Sequence, residues 1–168
     1  MSRQALVKTL ASLRFLDGVA PKHLEDLVDI ARVEEFEEGE VLFEEGQPVD
    51  GVFLIVKGEV ALEISASGLD PQQVLTVRSG ESLGWTALLE RRRRTATARV
   101  TAPTSVIRFD GQQLLELCDR NPSFGFEIMR RTAAGLATRL HAMRLRFLEV
   151  YRLQPESFTC GAEECGVD

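Results

Sequence analysis

The sequence predicts a mainly β protein with helices at both ends, and three observations carry that expectation. Apolar residues recur at helical spacing over the first thirty residues, with a period of two from Val33 to Phe109, and at helical spacing again after Asp110. Glycines at Gly39, Gly46, Gly51, Gly58, Gly68 and Gly80 punctuate the middle section. Many short β-rich runs at even spacing point to a barrel, roll or sandwich.

At the N-terminus, Leu6, Leu10 and Leu13 form one helical stripe, which Phe15-Leu16-Asp17-Gly18-Val19 interrupts. Pro21 stands where proline opens a second helix, and Leu24, Leu27, Val28 and Ile30 supply its apolar face. The β-rich runs that follow cover residues 33–36, 41–43, 52–56, 60–64, 74–77, 95–102 and 106–109. Lys57-Gly58 falls between two of them and reads as a tight hairpin turn. The run from Thr95 to Ala102 alternates polar and apolar residues, so one face is expected in the core and the other in water.

Asp110 is placed to cap a helix over residues 112–118, and Asn121-Pro122 to start a last one that runs to about Leu153, where Gln154-Pro155 ends it. In that last helix Met129, Ala133, Leu136, Leu140, Met143, Phe147 and Val150 are spaced alternately four and three apart, the seam of a short coiled coil. Packing on the same domain is the simpler use of such a stripe. Its unbroken course favours a parallel homodimer, with Met129, Leu136, Leu140, Met143, Phe147 and Val150 at the interface. The division expected is N-terminal helices over residues 1–32, a β-roll over 33–110, C-terminal helices over 111–153 and a flexible tail over 154–168.

Composition narrows the function. The net charge is −6 with both signs interspersed, and the one basic block, Arg91 to Arg94, is too short to make nucleic acid the main partner. No apolar run is long enough to span a bilayer and Met1-Ser2-Arg3-Gln4 does not open a signal peptide, so a soluble cytoplasmic protein is expected. Cys118, Cys160 and Cys165 suggest no disulfide framework: Cys118 belongs on a core helix face, and Cys160 and Cys165 read as an incidental pair. His23 and His141 are too few and too distant for a metal site. No nucleophile–base pair, carboxylate dyad or Walker-type loop is visible, so no catalysis is expected.

Two segments carry a family resemblance. Residues 39–60 hold Gly39, Gly46, Gly51 and Gly58 at turn spacing, with Asp50 ahead of the apolar run Val52-Phe53-Leu54-Ile55-Val56. Residues 80–96 contain Gly80-Glu81-Ser82-Leu83-Gly84-Trp85-Thr86-Ala87-Leu88, then Arg94-Thr95-Ala96. With helices on either side, these resemble the cyclic-nucleotide-binding domain family over residues 15–151, the second segment matching its phosphate-binding cassette. The resemblance implies a double-stranded β-helix (a jelly-roll or cupin-like β-roll) with N-terminal helices and a long C-terminal dimerisation helix. It also implies a regulatory sensor binding a small anionic ligand, cAMP or cGMP, with no other cofactor. The ligand-binding residues it suggests are Leu83, Gly84, Trp85, Thr86, Ala87, Leu88, Arg94 and Thr95. Amides of Thr86 to Leu88 would cradle the phosphate, Arg94 would pair with it, and Thr95 could add a hydroxyl.

Trp85 departs from the family, whose nucleotide binders use glutamate there to accept a hydrogen bond from the ribose. Indole only donates, and a hydroxyl left unpaired costs about 1–3 kcal/mol. Glu81, three residues before Gly84, is not a replacement. Trp85 is therefore expected either to stack on a planar ligand or to plug the pocket. The second option turns the domain into a ligand-free dimerisation scaffold, and sensing of some other anion is a third reading. Family transcription regulators continue into a helix-turn-helix, for which too little chain follows Leu153, so output through an effector protein and not directly to DNA is expected.

Overall fold

The computed structural model describes residues 2–65, 70–89 and 93–153, with side chains through Glu149. Arg91, Arg92, Gly68, Cys160, Cys165 and the segment 154–168 lie outside the described residues. Contacts divide the chain into two compact units, residues 1–132 and residues from 133 onward.

Helix α1 (Arg3–Ser12) starts at Ser2, whose hydroxyl accepts from the Ala5 amide, and buries Leu6 and Leu10. A 3₁₀ turn (Arg14–Leu16) leads to α2 (Pro21–Asp29), which opens on its proline and buries Leu24, Leu27 and Val28. Arg3 pairs with Asp29 across the two helices. Both helices thus turn the apolar stripes read in the sequence onto one core.

Six antiparallel strands follow: β1 (Ala31–Phe36), β2 (Val41–Phe43), β3 (Gly51–Ile64), β4 (Gln72–Arg78), β5 (Ser82–Leu83) and β6 (Thr97–Asp110). The long strands β3 and β6 pair along most of their length. Beside the first half of β3, β1 adds to β6 and β5 adds to β3; beside the second half, β2 adds to β6 and β4 to β3. This is the β-roll expected from the resemblance.

Lys57-Gly58 is not the hairpin expected from its composition. β3 runs straight through it, and the β3–β6 register shifts between Ile55 and Val60. Gly58 has φ 99°, and a Cβ there would stand 2.2 Å from Thr104 Oγ1 and 2.6 Å from the Pro103 carbonyl. The turn-like glycine is therefore a bulge facing a proline-containing irregularity on β6, where the paired strands bend together. The two short runs on either side merge into one strand, as do those at 95–102 and 106–109.

Alternation along β3 and β6 sends their apolar residues to two cores. One lies between roll and helices, with Leu10, Leu16, Leu27, Val52, Leu54, Ile107, Phe109, Leu114 and Phe124 among its members. The other lies inside the roll around Phe43, Phe53, Ile55, Val60, Val77, Leu83, Val100 and Val106. Helix α3 (Gly111–Arg120) begins at Asp110, which accepts from the Gln113 amide as its sequence position predicted, and ends at Asn121. Helix α4 (Pro122–Leu153) is 32 residues long. Arg131 on α4 donates to the carbonyls of Phe15 and Asp17 and to Glu127, fastening the first turns of α4 to the N-terminal segment.

From Ala133 onward, in the second unit, Leu136, Leu140, Met143 and Phe147 of the seam are exposed in the single chain, as are Leu145 and Leu148 beside it. Met129, the first seam residue, is partly buried against the helix-side core. Among the described residues no helix is long and apolar enough to cross a membrane.

Gly58→Ala should destabilise the protein by at least about 2 kcal/mol, from left-handed strain and the clash with Thr104, and lower its Tm by roughly 4–8 °C. Thermal melts followed by circular dichroism check this. An unchanged Tm would mean that the bulge is not a fixed feature of the fold.

Candidate functional site

The segment after β5 makes a tight turn. Gly84 adopts φ 85° and leads into a one-turn 3₁₀ helix, Trp85–Leu88. Only glycine suits this position, because a Cβ would lie 2.7 Å from the Gly51 carbonyl and 2.9 Å from an Arg94 guanidinium nitrogen. The Gly84 carbonyl accepts from the Ala87 amide at 3.0 Å, so one of the amides assigned to the cradle already has a partner.

Arg94 is fixed at both ends. Its amide donates to the Gln47 carbonyl and its carbonyl accepts from the Gly46 amide, both at 2.9 Å. Its side chain, 1% exposed, turns inward. The guanidinium stacks 4.2 Å from the Phe43 ring centre. Nη2 donates to Asp50 Oδ1 at 2.5 Å and to the Gly51 carbonyl at 2.9 Å, and Nη1 to the Gly84 carbonyl at 3.3 Å. Nε is buried with no hydrogen-bond partner. Burial pulls the guanidinium below its usual pKa, contact with Asp50 opposes that, and the nearby charge of Arg108 adds to the lowering.

Asp50 in turn holds a second arginine. Its Oδ2 accepts from Arg108 Nη2 at 2.7 Å, and Arg108 Nη1 stands 3.5 Å from Glu34 Oε1. Arg108 lies 6.0 Å from the Phe53 ring centre, and its Nε is also buried without a partner. The cluster is thus Arg94 and Arg108 around the Asp50 carboxylate, with Glu34 at its outer edge. The Asp50 side chain is 54% exposed, so the cluster opens to solvent above a buried guanidinium.

Of the residues predicted for the site, Gly84 and Arg94 are brought together. Thr86 and Ala87 are half-buried on the turn between them, and Thr95 is exposed. The Leu83 side chain is fully buried inside the roll and that of Leu88 in the helix-side core, which leaves only their backbone groups for a ligand.

Trp85 needs the larger correction. Its indole neither stacks over the Arg94 cluster nor plugs it. It points into the helix-side core, 5.1 Å from the Phe15 ring centre, and with Leu16, Leu27, Val52, Leu54, Phe109, Leu114 and Ile128 it lines a small apolar gap of about 10 Å³. An indole is mostly hydrocarbon, and the transfer of its ring to that core outweighs leaving Nε1 buried without a partner. Asp50 was visible in the sequence as the acidic residue ahead of β3. Arg108, which shares a face of β6 with buried Val106 and pairs with Phe53, gave no sequence signal.

The comparisons with known proteins agree with this fold. The family model for the cyclic nucleotide-binding domain matches residues 33–121, more than half of the chain. The chain belongs to the cyclic nucleotide-binding domain family. A cyclic nucleotide-binding domain from Methylobacillus flagellatus has the same fold, with a TM-score of 0.74 at 19% identity over 88% of this chain and 83% of that one. The catabolite activator protein of Thermus thermophilus gives a TM-score of 0.66 at 23% identity over 82% of this chain and 62% of that one. The human cGMP-dependent protein kinase 2 is 31% identical over 48% of this chain and 11% of the kinase. The chain spans a quarter or less of the curated relatives it matches. What it shares with them is one domain of this family.

If Trp85 is a core residue of this cyclic nucleotide-binding domain, Trp85→Ala should cost about 3–5 kcal/mol of stability. Urea melts measure this directly. A loss below about 1 kcal/mol would place the indole outside the core.

Proposed function

We propose that this domain binds a cyclic nucleotide, cAMP or cGMP, as a non-catalytic sensor, and that ligand occupancy passes through an α4-paired homodimer to an effector protein. The observation that carries the reading is Arg94: a buried guanidinium ten residues after Gly84, held to its carbonyl, with a buried Nε donor still to satisfy. A charged group that deep wants an anion, and a ligand phosphate supplies one. Family membership gives the ligand class. Such a ligand belongs to the cytoplasm.

The route outward is short. The 3₁₀ turn that carries Thr86 and Ala87 lies against the start of α3, where a Cβ on Gly111 would stand 3.0 Å from that of Ala87. The Gly111 amide also donates to the Asp50 carbonyl. A ligand that prefers one position of this turn therefore biases α3, and no further device is needed. The exposed Leu136, Leu140, Met143 and Phe147 support the seam along which two copies would pair.

A second reading has one observation in its favour. Asp50 already compensates the Arg94 charge, so the domain could serve as a dimerisation scaffold with no ligand. That form of the scaffold reading does not use Trp85, whose indole is elsewhere.

Saturating cAMP or cGMP, at 100 times its dissociation constant, should stabilise the protein by about 2.7 kcal/mol, and Arg94→Ala should abolish the shift. Thermal unfolding with and without each nucleotide tests this, and the absence of any shift would favour the scaffold. Leu140→Glu should convert dimers to monomers in size-exclusion chromatography with light scattering. A dimer that survived the change would remove the seam from consideration.

A further inference from the structure

The second unit carries two side-chain stripes on α4, and the seam accounts for only one of them. His141, Arg144, Leu145 and Leu148 stand at i, i+3, i+4 and i+7, so they share a face, about 130° round the helix from the seam. All four are exposed, Leu145 at 49% and Leu148 at 55%. A two-stranded coiled coil buries the seam and leaves this stripe on its outside.

Charge says what would cover it. From Ala133 to Leu153 four arginines stand against one acid, Glu149, whereas residues 1–132 hold sixteen Lys and Arg against twenty-one Asp and Glu. The far half of α4 is thus the basic part of an acidic chain. The residues directly after it are its reverse: Glu156, Glu163, Glu164 and Asp168, with no Lys or Arg, and with Phe158 as their one aromatic side chain. Such a segment is attracted by the stripe and repelled by the rest of the chain.

The chain is long enough to return. Gln154-Pro155 breaks the helix after Leu153. Phe158 is five residues past Leu153 and Leu148 five before it, about 7.5 Å back along the helix against up to about 17 Å of extended chain. Glu163 is ten past and Arg144 nine before, about 14 Å against up to about 33 Å. The surplus leaves room for the reversal.

We infer that residues 156–168 fold back along the outer stripe of their own α4, with Phe158 against Leu145 and Leu148, and Glu163 and Glu164 at Arg144. The segment is then an internal cover on the face that seam pairing leaves outward, and an acidic effector that docks there has to displace it. None of this depends on which ligand the β-roll binds.

Paramagnetic relaxation in the full chain tests the contact. Cys118 is buried, so Cys160→Ser leaves Cys165 as the thiol that takes a nitroxide. Amide signals from His141 to Leu148 should be lost with the nitroxide oxidised and return when it is reduced. Arg144→Glu should restore them in the oxidised sample. Adding Glu163→Lys and Glu164→Lys should broaden them again, a rescue that a misfolded helix would not give.

Signals that survive the oxidised nitroxide, or that are lost equally in Arg144→Glu, would overturn the inference and leave the stripe open to a partner. A second sample mixes isotope-labelled chain without nitroxide and unlabelled chain that carries it. Equally strong broadening there would also overturn it, because the cover would come from a second copy.

Discussion

Because β3 and β6 are each fourteen residues long and pair with one another, every other strand can attach only along their outer edges. Before Gly58 successive residues of β3 alternate between the two cores, and after it Val60 and Leu62 face the roll interior. Val52 and Leu54 go to the helix side, while Phe53, Val60 and Val100 go inside the roll. Gly51 starts β3 at the point where its carbonyl reaches Arg94, and Asp110 ends β6 opposite Gly51 and caps α3. The same ladder thus forms both cores, builds one wall of the arginine cluster and sets the start of the C-terminal helices.

How this site divides its labour follows from which face of the sheet each residue packs on. Leu83 and Trp85 are two residues apart, yet the first packs inside the roll and the second against the helices. Gly84 between them takes a left-handed conformation that allows the change of side, and its bare Cα admits the Arg94 guanidinium. The turn is therefore held on one side by Phe15 through Trp85 and on the other by the charged cluster. A shift at the cluster cannot leave the indole's neighbours untouched, because cores packed at crystal-like density transmit displacement.

Most of the fold was legible in the sequence, since periodicity reports burial and burial drives it. The stripes of α1 and α2, the Asp110 cap and the extent of α4 all follow from local pattern. Lys57-Gly58 was misread because a glycine at positive φ serves a hairpin turn and a bulge equally well; only the partner strand decides. Spacing located Gly84 and Arg94 but could not give the direction of the Trp85 side chain. Asp50 and Arg108 are 58 residues apart and meet only when β3 and β6 pair. A lone arginine in a strand reads as solvated surface until the register, here Arg108 opposite Phe53, is known.

Desolvation links these points. A guanidinium buried to the depth of Arg94 carries a penalty that neither the Phe43 ring nor two carbonyls offset in full, so the fold requires an anion beside it whether or not a ligand is present. A domain that only scaffolded a dimer could meet that requirement more cheaply with an apolar side chain at position 94. Keeping arginine there, under an exposed carboxylate and beside a second arginine with its own unpartnered donor, makes physical sense where a further acceptor can join the cluster.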